Sequence, residues 1–202
     1  TVEAYQRTFV DSIAPMLHAL KSHPLKKVIV VSSTRVYGES AGERVDDDTC
    51  PQPSDAQGQV LLNMETLWQQ AYPSECVIVR PTGIYGTSVS RMIKLAGTTK
   101  AYPRLHWSNR IHVEDLAAFL VHLLHVEHAE KSYICSNSQP LPLHEIMQWF
   151  QQQLGFPALV LESNMTSGKQ IYASRMQQMN FELQHPHCFD DYLALLAERE
   201  SK

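Results

Sequence analysis

Short apolar runs alternate with longer amphipathic segments along most of the chain. The runs lack the strict polar alternation of half-exposed strands, so they are typical of strands buried on both faces. They lie at Val28–Ser32, Cys76–Arg80 and Ser132–Cys135. The segments between them have apolar residues at helical spacing, at Val2–Ser22, Ser54–Ala71, Glu114–Val126, Leu143–Leu154 and Phe189–Arg199. This alternation predicts an α/β fold in which helices cover both faces of a parallel sheet.

Hydroxyl side chains follow the first predicted strand directly. Ser32, Ser33 and Thr34 come after the apolar run Val28–Val31, and Tyr37 follows three residues later. Ligands of open α/β sheets bind at the carboxyl ends of the strands. We therefore expect these hydroxyls to line a ligand site.

Five segments, in this order, resemble motifs of one known family. They are the serine-bearing strand end Ser32–Gly38, the helix start around Gly58, the turn Arg80–Gly86, the helix entry Arg110–Ala117 and the strand and loop Ser132–Leu141. Together they resemble the extended short-chain dehydrogenase/reductases, the NAD-dependent epimerase/dehydratase family, and most closely its atypical members. The resemblance covers nearly the whole chain, from Val2 to about Leu196.

The resemblance implies both a fold and an activity. The expected fold is a Rossmann-like parallel α/β sheet, incomplete at its N-terminal side, with a small C-terminal substrate lobe. Residues 1–136 would form the Rossmann-like part, residues 137–202 the lobe and terminal helix, and residues 87–110 would add to the lobe. The expected function is that of an NAD(P)-dependent epimerase or dehydratase acting on a nucleotide-sugar-like small molecule.

The same resemblance assigns candidate site residues. Ser33 matches the family hydroxyl that orients the substrate oxygen, and Tyr37 is a candidate substitute for the family's catalytic acid. Expected cofactor contacts are Ser32, Arg80, Pro81, Thr82 and Gly83. Expected substrate contacts are Thr34, Tyr85, Asn109 and Arg110. For His112, a structural role at the helix entry is favoured over a catalytic or metal-binding one.

Two departures from the family pattern limit how far the activity carries over. Gln57 and Leu61 stand where the family has its catalytic Tyr and Lys. Neither can transfer a proton near neutral pH, which general acid–base catalysis requires. A second hypothesis is therefore a dinucleotide-binding or scaffold protein of the same fold without turnover.

The second departure concerns the cofactor. None of the eight glycines makes the Gly-x-x-Gly-x-x-Gly turn that holds a dinucleotide pyrophosphate at a helix N-terminus. The chain begins at what resembles the helix before the fourth family strand, so we expect NAD or NADP to bind it weakly or not at all. The apolar strand Val28–Ser32 would then have an unpaired edge, and a homodimer through that edge is one expected remedy.

Composition and charge limit the partners, cellular location and metal sites that the sequence predicts. The net charge is −4, and no basic block exists that could follow a phosphate backbone, so no nucleic-acid partner is expected. No apolar run approaches the roughly 20 residues that span a bilayer, so no membrane partner is expected. The four cysteines are scattered without a Cys-x-x-Cys pair, which favours a reducing, cytoplasmic location. No metal site is expected, because His185–Cys188 lacks a second ligand group elsewhere.

Overall fold

The computed structural model describes residues 1–200, with the side chain of Glu200 left aside. Its first 20 residues form three helical segments where the sequence predicted one helix: α1 (Val2–Tyr5), a π-helical turn (Gln6–Val10) and α2 (Ile13–Leu20). The interruption precedes Pro15, which has no backbone N–H to donate to the turn before it.

The central sheet has three parallel strands in the order β1–β3–β8. They are β1 (Val28–Val31), β3 (Cys76–Pro81) and β8 (Ser132–Cys135). Val28 pairs with Cys76 and Ile78 pairs with Ser132. The three predicted strands and their parallel arrangement are confirmed, each within one residue at its ends.

Helices α3 (Ala56–Ala71) and α5 (Val113–His125) connect these strands in chain order. Asp55 begins α3, because its side chain accepts a hydrogen bond from the backbone N–H of Gly58 at 2.7 Å. A side chain on Gly58 would place its Cβ 2.8 Å from the carbonyl oxygen of Arg35. A glycine here therefore lets the start of α3 approach the turn that follows β1.

A second sheet was not predicted from the sequence. It has four strands in the order β2–β11–β6–β9, and only β6 and β9 are antiparallel. The strands are β2 (Ala41–Val45), β6 (Leu105–Ser108), β9 (Leu141–Pro142) and β11 (Thr166–Ile171). Two short parallel pairs complete the sheets, β4 (Gly83–Tyr85) with β7 (Arg110–His112) and β5 (Ala101–Tyr102) with β10 (Val160–Leu161).

The remaining helices are α4 (Ser90–Thr98), α6 (Leu143–Leu154), α7 (Ser174–Gln178) and α8 (Cys188–Glu200).

Buried side chains fall into two apolar clusters. The larger one packs on the central sheet around Ile78, Phe119 and Ile134, all fully buried. The smaller one joins α4, α6 and α8 through Phe150, Tyr192 and their neighbours. The predicted division into a Rossmann-like part and a smaller lobe at residue 136 stays a prediction, and Ile171, Ala173 and Met176 of the predicted lobe pack in the larger cluster.

Strand β1 lies at the edge of the central sheet and pairs only with β3. Val31, its last residue, is 41% exposed. The edge predicted for Val28–Ser32 is thus present, and the homodimer through it stays a prediction. No helix within residues 1–200 is both long and apolar enough to cross a membrane.

Candidate functional site

A cleft of about 740 Å³ opens where the carboxyl ends of β1 and β3 face the second sheet. Ser33 and Thr34 enter it from the turn after β1, and Thr82 and Gly83 from the end of β3. The far wall is formed by β6 and β11, mainly through His106, Trp107, Ser108, Asn109, Gly168, Lys169 and Ile171. The structure therefore brings Ser33, Thr34, Thr82, Gly83 and Asn109, all predicted site residues, to one cleft.

The hydroxyls of Ser33, Thr34 and Thr82, at the carboxyl ends of β1 and β3, differ in their hydrogen-bond partners. Thr34 donates to the carbonyl oxygen of Pro81, and Thr82 donates to that of Cys135, each at 3.3 Å. Ser33 Oγ accepts from the backbone N–H of Arg35 at 3.2 Å and caps the short turn Thr34–Val36. Among the protein groups that the structure describes, nothing accepts the Ser33 proton, so this hydroxyl remains able to donate to a ligand oxygen.

Gln57, which stands where the family has its catalytic tyrosine, is hydrogen-bonded to a residue that lines the cleft. The Gln57 side-chain oxygen accepts a hydrogen bond from Arg35 Nη2 at 3.1 Å. Leu61, one turn further along α3, is buried in the main apolar cluster. Neither side chain supplies a titratable group, so the proton relay predicted to be missing from the sequence is not restored at these two positions.

Arg35 and Asp55 form an ion pair beside Gln57. Both carboxylate oxygens of Asp55 accept from Arg35 Nε at 3.0 Å, and each side chain is 41% exposed. The hydrogen bond from Arg35 lowers the pKa of Asp55, and Asp55 in turn raises the pKa of Arg35. The two charges cancel, which leaves little net charge at this side of the cleft.

Tyr37 and Arg80 do not line the cleft, and their predicted catalytic and cofactor-binding roles stay predictions. Arg80 forms a buried ion pair with Glu65, Nη2 to Oε2 at 2.7 Å, and donates from Nη1 to the Tyr37 hydroxyl at 2.8 Å. Tyr37 is only 2% exposed, and burial raises the pKa of its hydroxyl. The Tyr37 hydroxyl is committed to Arg80 inside the core, so it does not reach a substrate in this geometry.

Ser32 and Pro81 are also buried and do not line the cleft. Ser32 Oγ has no hydrogen-bond partner among the described protein atoms. It lies next to Ser33 in the chain, so its predicted cofactor contact stays a prediction. Pro81 ends β3 and, through its carbonyl, accepts from Thr34.

Three predicted substrate contacts hold the lobe together. Arg110 is buried and donates from Nε to the Tyr192 hydroxyl at 2.8 Å. The Tyr85 hydroxyl donates to Asp191 at 2.6 Å. Arg110 and Tyr85 line a smaller neighbouring cavity of about 270 Å³. Asn109 uses its amide on strand β11, donating to the carbonyl of Lys169 and accepting from the N–H of Ile171, each at 2.8 Å. The first two therefore join α8 to the Rossmann-like part, and Asn109 fixes the far wall of the cleft.

His112 has the structural role favoured by the sequence. Its Nδ1 accepts from the backbone N–H of Glu114 and so begins helix α5. The ring stacks on His185 at 3.6 Å, and burial together with this neighbour lowers the pKa of His112. Burial alone would lower the pKa of His185, but its hydrogen bonds with Asp191 and Glu114 raise it.

His112, Glu114 and His185 offer three potential metal ligands within 4.8 Å of one another. The carboxylates already engage His185 on both ring nitrogens, Nδ1 to Asp191 at 2.6 Å and Nε2 to Glu114 at 3.2 Å. These contacts account for the cluster as a protein-internal junction. That no metal binds stays a prediction.

Sequence reasoning missed Lys169, His106 and the other residues of β11 and β6 that face Ser33. Strand β11, Thr166–Ile171, has one apolar residue in six and no alternation that predicts a strand. The available signal was Gly168, which precedes Lys169 and has a backbone φ of +72°. A glycine in an otherwise polar strand marks a bulge or a close backbone approach.

The cofactor contacts predicted for Thr82 and Gly83 stay predictions, although both residues line the cleft just after β3. Within residues 1–200, no Gly-x-x-Gly-x-x-Gly turn leads into a helix, so a pyrophosphate has no backbone cradle there. We therefore derive no chemical step through this cofactor, and weak binding of NAD or NADP by this chain stays a prediction.

The architecture is that of a Rossmann-like α/β protein, with a cleft between the carboxyl ends of the parallel central sheet and the second sheet. The sequence pattern of the "NAD dependent epimerase/dehydratase family" matches residues 3–135. The chain belongs to this family.

Similar proteins agree with this assignment. The protein YeeZ of Escherichia coli K12 is 28% identical over 187 residues, which cover 88% of this chain and 65% of YeeZ. The chain thus spans about two thirds of the length of this curated relative. A Methylobacillus flagellatus structure, provisionally assigned as an NAD-dependent epimerase/dehydratase, is 34% identical with a TM-score of 0.86, covering 98% of this chain and 73% of that one.

The dTDP-glucose 4,6-dehydratase of Bacillus anthracis, solved in complex with NAD, shares the fold. Its TM-score is 0.77 at 18% sequence identity, covering 98% of this chain and 69% of the dehydratase. At this identity the similarity extends to the architecture alone.

Proposed function

We propose that this chain supplies the substrate cleft of an NAD(P)-dependent epimerase- or dehydratase-like protein acting on a nucleotide-sugar-like substrate. The family membership supports the reaction class. The observation that carries the proposal for this chain is the cleft of about 740 Å³ at the carboxyl ends of β1 and β3. It is lined by Ser33, whose hydroxyl proton has no acceptor among the described protein groups and whose place in the sequence resembles that of the family hydroxyl that orients the substrate oxygen.

The chemistry available to this cleft is orientation and hydrogen bonding. Ser33 donates to an oxygen of the substrate, while Thr34 and Thr82 are tied to backbone carbonyls and shape the wall. The indole of Trp107, on the opposite wall, offers an apolar face to a sugar ring. Hydride transfer would come from the nicotinamide of the cofactor.

A non-catalytic dinucleotide-binding or scaffold protein is the second candidate. The specific observation in its favour is the state of the two replaced positions, since Leu61 is buried and Gln57 is held by Arg35. A protein of this kind would bind a nucleotide sugar without converting it.

One experiment separates these candidates. The chain is titrated with UDP-glucose, UDP-glucuronic acid and dTDP-glucose by calorimetry, then incubated with each sugar and NAD or NADP, and the sugars are separated chromatographically. Saturable binding with an epimerised or dehydrated product supports the enzyme. Saturable binding of a nucleotide sugar and, by the same calorimetry, of NAD or NADP, without any product, supports the second candidate. No binding of any of the three nucleotide sugars contradicts the proposed substrate class.

Ser33→Ala tests the role of the free hydroxyl, and Ser40→Ala, at an exposed position, is the matched control. We expect Ser33→Ala to weaken nucleotide-sugar binding by roughly five- to tenfold, the effect of one lost hydrogen bond. An equal affinity in Ser33→Ala and Ser40→Ala would contradict the assigned role of Ser33.

A further inference from the structure

The cleft contains one cation without a direct ion-pair partner. Arg35, Asp55 and Lys169 are the lining residues that carry a full charge, and Arg35 and Asp55 are paired with each other. Lys169 takes part in none of the ion pairs formed within residues 1–200. No carboxylate of the described residues therefore contacts the Lys169 ammonium directly.

The backbone directs Lys169 toward this position. The pairing of β11 with β2 shifts register between Gly168 and Lys169, where Gly168 has a φ of +72°. A side chain at Gly168 would put its Cβ 2.6 Å from the carbonyl oxygen of Trp107. Bulges of this kind change the direction of a side chain and are frequent beside active sites.

Two contacts then hold Lys169 in place. The Asn109 side chain binds the carbonyl of Lys169 and the N–H of Ile171, so the backbone on either side of Gln170 is fixed to β6–β7. The Lys169 ammonium donates to the backbone carbonyl oxygen of Tyr37. An ammonium has three N–H donors, so two remain for other acceptors.

The environment of the Lys169 ammonium favours the binding of an anion. Lys169 is half-buried, and the loss of water lowers its pKa, while Glu39, Asp55 and Glu43 oppose that shift from a distance. A partly desolvated charge costs free energy unless a charged or polar partner compensates it. Glu39 competes with an external anion for the Lys169 ammonium, because its buried Oε2 accepts no hydrogen bond among the described atoms.

We propose that Lys169 is the residue that binds an oxyanion of the ligand, a phosphate or a sugar carboxylate, in the cleft beside Ser33. This inference rests on the proposed nucleotide-sugar-like substrate and adds the residue that recognises its charge. Asn109, predicted from the sequence as a substrate contact, is a positioning residue that acts through the backbone of Lys169.

The test observes the ammonium itself and needs no turnover. The chain is labelled with ¹³C,¹⁵N-lysine, so that the side-chain Cε–Nζ signals report on unmodified ammonium groups, and the signal absent from Lys169→Arg is assigned to Lys169. Inorganic pyrophosphate, glucuronate and UDP-glucuronic acid are then titrated separately. We expect the Lys169 signal to shift saturably with at least one probe, while that of the exposed Lys94 does not. A pyrophosphate response identifies a phosphate subsite, and a glucuronate response identifies a carboxylate subsite.

Variants complete the test by calorimetry with the responding probe. Lys169→Met is expected to weaken binding roughly tenfold or more, the loss of one charge-assisted hydrogen bond, and Lys169→Arg to retain it. Glu39→Gln is expected to tighten binding, because it removes a negative charge that competes for the ammonium. Lys94→Met is the control.

The inference is overturned if no probe shifts the Lys169 signal, or if Lys169→Met and Lys94→Met bind the responding probe equally well. This result is distinguishable from failure of the proposed function. A Lys169 signal that ignores all three probes while UDP-glucuronic acid still binds by calorimetry removes only the assignment of Lys169.

The pH dependence has a defined sign. The lowered pKa means that Lys169 loses its proton at a pH below the ordinary value for lysine, 10.5. Oxyanion binding should therefore decline on the alkaline side at a pH below 10.5. Binding of pyrophosphate that stays constant while the Lys169 side-chain signal titrates would contradict the proposal.

Discussion

Two arginine–carboxylate pairs join helix α3 to neighbouring strand ends, and they differ almost only in exposure. Arg80 and Glu65 meet in the core, with side chains 8% and 2% exposed. Arg35 and Asp55 meet at the mouth of the cleft, with both side chains 41% exposed. Similar chemistry in the two places has different consequences, because water screens the second pair and not the first.

The comparison shows which charged side chains of the family-like motifs remain available to bind a ligand. The buried pair occupies the Arg80 guanidinium and, through it, the Tyr37 hydroxyl. The exposed pair neutralises itself and leaves the charge of the cleft to Lys169. A charged residue in a family-like motif is therefore assigned to the fold or to the site by its partners, and its position in the motif does not settle the question.

The largest expected effect comes from breaking the buried pair. Glu65→Gln leaves the Arg80 charge in the core without its carboxylate, and we expect a loss of about 3–5 kcal/mol in the free energy of unfolding. Urea denaturation followed by circular dichroism measures it. The double variant Glu65→Leu with Arg80→Met, which removes both charges, should recover part of that loss. A loss below about 1 kcal/mol for Glu65→Gln would contradict the structural role given to this pair.

The junction of His185 with Asp191 and Glu114 lies between the two extremes, since the His185 side chain is 24% exposed. The raised pKa means that the folded state holds this proton more tightly than the unfolded chain does. The resulting stability is fully present below the unfolded pKa, about 6.5, and is lost as the pH rises through the higher folded pKa.

We expect His185→Gln to cost about 1 kcal/mol at mildly acidic pH and less at alkaline pH. Urea titrations across this range measure the difference, and the exposed His187→Gln serves as the control. A cost for His185→Gln that does not change with pH would show that the proton on this ring does not stabilise the junction.

The smallest effect is expected at the cleft mouth. Asp55→Asn removes the charge of the exposed pair but keeps a side chain that can begin helix α3, so about 0.2–1 kcal/mol should be lost. The same urea titration measures it. A cost equal to that of Glu65→Gln would remove the distinction between the two pairs.

The fold of the central sheet could be predicted because its strands are continuous apolar runs. Cys76–Pro81 and most of Ser132–Cys135 are buried, while Val28–Val31 at the sheet edge is partly buried. Burial of a strand on both faces leaves a clear hydrophobic signal. The start of helix α3 at Asp55 follows the known preference for Asp at helix N-termini. A structural role for His112 at the entry of its helix was also predicted from the sequence.

The second sheet could not be predicted for a physical reason. Strands β2 and β11 are polar, are short, and pair across more than 120 residues of chain. Nothing within either segment indicates its partner, and their packing depends on the complete fold. Lys169 could not be predicted for the same reason. The direction of its side chain depends on a register shift at Gly168 that exists only once the sheet has formed.

The candidate site was predicted in part. Ser33, Thr34, Thr82 and Gly83 reach the cleft, because residues at the carboxyl ends of adjacent parallel strands meet at one edge. Tyr37 and Arg80 do not, because the sequence could not show that they would pair with each other and with Glu65. A buried ion pair forms between residues that are distant along the chain, so it has no local signature.

The central claim is that the cleft between Ser33 and Lys169 is where this family member binds its nucleotide-sugar-like ligand. The most direct test is a titration of the ¹⁵N-labelled chain with UDP-glucuronic acid, followed by two-dimensional NMR. The account predicts saturable amide shifts concentrated at Ser33, Thr34, Gly83 and Lys169, with none on the outer face of α5. Shifts that lie outside this cleft, or the absence of any shift at millimolar ligand, would contradict it.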